Sequence, residues 1–125
     1  MPQVATKDIA SMGAKFLLDK SWTGQGGSAV LGPADLSFTD MATIMSDALG
    51  KTVRFEQVSG DVYKAQLIQY GANEIFAQGI VDMLIAKDNG LDNAEQRTAQ
   101  NTTPTSFRQW CEEMLKPAVL AVEPT

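Results

Sequence analysis

Apolar residues recur at helical spacing along much of this chain, and that periodicity predicts its principal elements. The first helix begins near Thr6 and aligns Ile9, Met12, Gly13, Phe16 and Leu17 on one stripe. Asp8 lies in its first turn, where a negative charge favours the positive end of the helix dipole. A polar, glycine-rich loop covers residues 21–27. Residues 28–32 read as a short buried strand ended by Gly32-Pro33. Ser37 is a candidate N-cap for a second helix, with Asp40 in its first turn. Met41, Ile44, Met45, Ala48 and Leu49 form the stripe of that helix, and Gly50 stops it. Residues 53–58 alternate apolar and polar, the signature of a strand. A third helix is expected over about 61–70, stopped by Gly71. Asn73 caps a fourth that carries Phe76, Ile80, Met83 and Leu84 and stops at Asn89-Gly90. Residues 92–104 are polar and irregular. Ser106 and Gln109 have capping-box spacing at the head of a last helix, with Phe107, Trp110, Cys111, Met114 and Leu115 as its stripe and Pro117 as its end.

The strand, helix and strand across 28–58 have the length of a right-handed crossover, which implies parallel pairing. The expected fold is therefore α/β: a small two-stranded parallel sheet with about five helices and no Rossmann domain. One domain is expected over residues 1–125, ordered across 4–119, with 120–125 a loose tail.

Composition narrows the chemistry. The net charge is −5 with no basic block, which argues against nucleic acid as a partner. There is no histidine and a single cysteine, Cys111. That removes Ser-His-Asp and Cys-His nucleophiles, makes a zinc site improbable and rules out an internal disulfide. Cys111 falls on the apolar stripe of a helix and reads as a small core residue. No apolar run reaches the ~20 residues that span a bilayer. The beginning of the chain has no signal-peptide pattern, so a cytoplasmic location is expected.

Several segments together resemble a known family. The run Leu31-Gly32-Pro33-Ala34-Asp35-Leu36-Ser37-Phe38-Thr39-Asp40 is similar to the strand-turn-helix of the C-terminal half of NmrA-like, extended short-chain-dehydrogenase-like proteins. Leu49-Gly50 followed by Val53-Arg54-Phe55 fits the same pattern, as do Val4 through Ala10, with Asp8-Ile9-Ala10, and the closing run from Thr103 to Trp110. The resemblance covers about residues 4–119 and rests on order and spacing. It implies a two-part molecule in which a Rossmann half binds NAD(P) and a smaller half, corresponding to this chain, covers the substrate cleft. Members of the family include reductases of quinones and small carbonyl compounds, and regulators that sense the dinucleotide.

The cofactor-binding signals themselves are missing. Gly24-Gln25-Gly26-Gly27 precedes a strand and lacks the phosphate-cradle spacing. Neither Tyr63 nor Tyr70 is followed by lysine four residues on, so no catalytic residue is assigned. No cofactor is expected for this chain alone, NAD(P) belonging to the full-length family. The acidic segment Asp88, Asn89, Asp92, Asn93 and Glu95 lacks the glycine spacing of a calcium loop and reads as a solvated turn. Adjacent Glu112 and Glu113 read as a solvated helix face.

The resemblance makes the third and fourth helices a roof over the substrate cleft. Tyr63, Tyr70, Phe76 and Met83 are then candidates to face a substrate or partner, although the same residues fit ordinary helix packing. Arg97 is a candidate anion contact against the plainer reading of an exposed arginine. The expected function is an isolated substrate- or partner-binding half, non-catalytic alone. It would pair with itself as a dimer or with a separate Rossmann-type chain, and could take a small-molecule ligand. The alternatives are a regulatory interaction protein and a stand-alone NAD(P)-dependent reductase. An exposed apolar helix face with no enclosed pocket would favour the regulator, and saturable dinucleotide binding the reductase.

Overall fold

The computed structural model describes residues 1–122. Its elements are α1 (Thr6–Leu18), α2 (Phe38–Leu49), α3 (Gly60–Gln69), α4 (Glu74–Asp88), a 3-10 turn (Leu91–Asn93), α5 (Phe107–Trp110), a π-helical segment (Cys111–Leu115) and α6 (Lys116–Val122). The chain divides into two compact units. Of the described residues, one comprises 1–55 and 95–122, and the other 56–94. No helix of the described residues is long and apolar enough to cross a membrane.

Side-chain caps place most of the helix starts. At α2, Ser37 Oγ accepts the Asp40 N–H at 3.0 Å, and Asp40 Oδ2 accepts the Ser37 N–H at 3.0 Å. This reciprocal box satisfies two backbone donors that the first turn leaves free. Gly50 ends α2 at φ 67°, a left-handed position suited to glycine. Ser59 caps α3, Asn73 caps α4 at 2.8 Å, and Ser106 caps α5 at 3.1 Å.

In the first unit, α2 packs against α5 and the π-helical segment. The residues buried there are small or polar: Ala5, Ala42, Ala48, Cys111, Thr103, Thr105 and Asp8. In the second unit α3 packs on α4, with Ala77 and Val81 buried. Cys111 is the largest fully buried side chain among the described residues.

The expected parallel sheet is absent: the described residues contain no strand, only isolated bridges between Pro2 and Asp35 and between Leu31 and Thr102. The backbone groups that were to pair are engaged elsewhere. Leu31 N–H donates to Asn101 O at 2.7 Å, and Leu31 O accepts the Thr103 N–H at 2.8 Å. Val53 N–H donates to Ser46 Oγ at 2.9 Å, and its carbonyl lies 3.2 Å from the same hydroxyl. Phe55 stacks on Phe38 of α2, with centroids 5.2 Å apart. The alternation in residues 53–58 thus serves a loop-to-helix contact rather than a sheet face. The fold class is helical, not α/β.

Two helical expectations also change. Pro117 does not end the last helix. The Lys116 N–H donates to Cys111 O, five residues back, and this widened turn carries the helix past a proline that has no N–H to give. Residues 120–122, expected in the loose tail, lie in α6, and the rest of that tail lies outside the described residues. The apolar stripe expected on α1 is present, and its Ile9, Phe16 and Leu17 are exposed, Leu17 at 84%.

Candidate functional site

The N-terminal turn of α1 and the segment leading into α5 meet at Asp8. Asp8 is 6% exposed and accepts two hydrogen bonds from Thr105. The Thr105 N–H reaches Oδ2 at 2.9 Å and the Thr105 hydroxyl reaches Oδ1 at 2.9 Å. Thr103, two residues earlier, donates its N–H and its hydroxyl to Leu31 O at 2.8 and 2.9 Å. The run 101–105 is therefore tied to Leu31 at one end and to α1 at the other. Lys7 adds a link at 2.9 Å to Glu113, and this contact together with Gln109 holds the Glu113 carboxyl below its ordinary pKa. Glu113 is thus a tie between helices rather than only a solvated residue.

A cleft of about 200 Å³ opens beside this junction, lined by residues including Gln3, Ala5, Thr6, Thr105, Phe107 and Trp110. Phe107 and Trp110 are stacked, with centroids 5.8 Å apart. Ala5, the N-cap of α1, has no side-chain oxygen to accept the first N–H groups of the helix. The recess has an aromatic wall, which suits a small apolar group. A second, more open groove of about 410 Å³ runs between α2 and residues 53–55, with Thr43, Ser46, Asp47 and Arg54 among its lining.

Neither recess contains a nucleophile paired with a base. Cys111 is buried, and burial pushes its thiol pKa up, away from the reactive thiolate. Among the described residues no group of three His, Cys, Asp or Glu side chains is placed to hold a metal ion.

The sequence candidates fall in both units. Tyr63, Tyr70, Phe76 and Met83 belong to the α3–α4 unit and Arg97 to the other. Tyr63 is half-buried on α3, whereas Tyr70, just beyond its end, is 89% exposed. Phe76 and Met83, seven residues apart, share a face of α4 and are both exposed. That face turns away from Ala77 and Val81, so core packing does not account for it. Arg97 is committed within its own unit: Nε donates to Gly32 O at 2.9 Å and Nη2 to Asp35 Oδ1 at 2.8 Å.

The Asp8–Thr105 junction was not among the sequence candidates. Its one signal was an aspartate in the first turn of a helix, which the dipole alone accounts for. Nothing in the local pattern pointed to a partner 97 positions away.

Comparison with known proteins yields one informative likeness. The chain is 26% identical over 113 residues to the Prestalk A differentiation protein A of Dictyostelium discoideum, a match covering 88% of this chain and 37% of that protein. The chain thus spans little more than a third of the length of this relative. No protein-family model matches the chain. No solved structure matches it.

Proposed function

We propose that this chain is the substrate- or partner-binding half of an NmrA-like, NAD(P)-dependent-oxidoreductase-like protein, and that by itself it docks rather than catalyses. The observation that carries the reading is the uncovered apolar end of α1. Leu17 and Leu18 are 84% and 81% exposed. Trp22 stands beside them, its indole N–H fixed to Phe16 O at 2.8 Å. An apolar cluster presented in this way marks a contact surface.

The Dictyostelium relative, most of whose length lies outside the match, has room for a second half. The docking partner is a Rossmann-type half or a second copy of this chain. The setting is the cytoplasm, consistent with a free and buried Cys111.

A second reading, a regulatory interaction protein, is favoured by the exposed face of α4 at Phe76 and Met83. The name of the relative also refers to differentiation, a regulatory outcome rather than a reaction.

Titration of the isolated chain with NADPH, followed by amide NMR, separates both readings from a stand-alone reductase. The docking half shows no shifts at millimolar dinucleotide. Saturable shifts clustered in residues 24–33 would overturn it.

A further inference from the structure

The turn that closes α4 contains Asn89-Gly90, and we propose that Asn89 is a site of spontaneous deamidation whose rate is held down by the fold of that turn. The proposal is independent of the docking reading. In the reaction the Gly90 backbone nitrogen attacks Cγ of Asn89. A C–N bond forms, closing a succinimide ring, and the side-chain nitrogen leaves as ammonia with the proton from Gly90. Water then adds to one of the two ring carbonyl carbons and breaks its C–N bond to the ring nitrogen, leaving aspartate or isoaspartate. Glycine on the C-terminal side is the most permissive neighbour, because no Cβ obstructs the attacking nitrogen. Here glycine is required at that place, since Gly90 adopts φ 94°. Of the chain's asparagines, Asn73, Asn89, Asn93 and Asn101, Asn89 alone precedes glycine.

The folded turn restrains the nucleophile. The Gly90 N–H donates to Lys87 O at 3.0 Å, and the Asn89 N–H donates to Ile85 O at 3.1 Å. Lys87 Nζ is clamped by both oxygens of Asp92, at 3.2 and 3.1 Å, and both side chains are less than a third exposed. Asn93 N–H returns to Gly90 O at 3.0 Å. Attack requires Gly90 N to leave its carbonyl partner, so the reaction reads the opening of this turn. Its product places a carboxylate at the C-terminal end of α4, beside Asp88 and Asp92, where the helix dipole disfavours negative charge. Conversion therefore loosens the last turn of α4.

The test incubates the full chain at mildly alkaline pH and follows the residue 89 peptide by mass spectrometry, with enzymatic methylation to detect isoaspartate. A free peptide of residues 86–92 is the unrestrained reference. The folded chain converts at Asn89 more slowly than the peptide. Lys87→Ala and, separately, Asp92→Asn speed conversion roughly two- to fivefold, the effect of losing one partly exposed ion pair. Circular dichroism checks that each variant stays folded, and Asn89→Gln abolishes the signal. An unchanged Asn89 after the peptide has fully converted overturns the site. Equal rates in peptide and chain, or in wild type and both folded variants, overturn the restraint.

Discussion

Asp8 and Thr105 show how much a single pair can determine in a unit with few large buried side chains. The two hydrogen bonds join residues 97 apart in sequence, and both partners are almost fully buried. Asp8→Asn and Thr105→Val each leave buried polar groups without their partner, so each costs about 1–3 kcal/mol in urea denaturation. The double variant costs less than the sum by at least about 0.5 kcal/mol, because the second change removes a contact already lost. Strict additivity would mean that the two residues act separately. Gly32 is a second fixed point. It is buried, and a Cβ there would overlap the Gln3 carbonyl, a backbone atom that cannot swing aside. Gly32→Ala is expected to destabilise the chain by about 2 kcal/mol or more in the same measurement. Sequence reading saw this glycine as a turn signal; only the fold brings Gln3 against it.

At the scale of elements, the helix starts were legible wherever one side chain closes them locally. Ser37, Asn73 and Ser106 cap within three residues, so their signal is complete in the sequence. The Asp40 carboxyl, held by the Ser37 N–H and hydroxyl, titrates below an ordinary aspartate. Ser37→Ala removes one half of the box, and the Asp40 pKa, followed by carboxyl NMR, is expected to rise toward the ordinary value. The same variant lowers stability by about 1 kcal/mol at neutral pH. Because the folded pKa is depressed, the linked stability is present above the pKa of the unfolded chain. It is lost as pH falls through the folded value, below about pH 4. Asp35, lowered by Arg97, contributes in the same direction. The sheet was misread because alternation records side-chain direction but not the destination of the backbone groups. Ser46 takes those of Val53, and the run from Asn101 to Thr103 takes those of Leu31. The passage of the last helix through Pro117 was hidden for a related reason, since a widened turn leaves no mark in apolar spacing.

Across the molecule, the distribution of apolar side chains matters more than their number. Their share of the sequence is ordinary at 44%, yet the largest fully buried side chain among the described residues is a cysteine. The stripe of α1 is legible in the sequence as an apolar face, and the structure leaves Ile9, Phe16 and Leu17 of it exposed. An apolar face that its own chain covers and one that it leaves exposed have the same sequence pattern, so the pattern alone does not separate the two. The same ambiguity held for Phe76 and Met83 on α4. The most direct measurement is sedimentation equilibrium of the isolated chain over a wide concentration range. The docking account predicts an average mass above 13.5 kDa that rises with concentration, as apolar surface finds a second copy. A mass that stays at the monomer value at every concentration would contradict it.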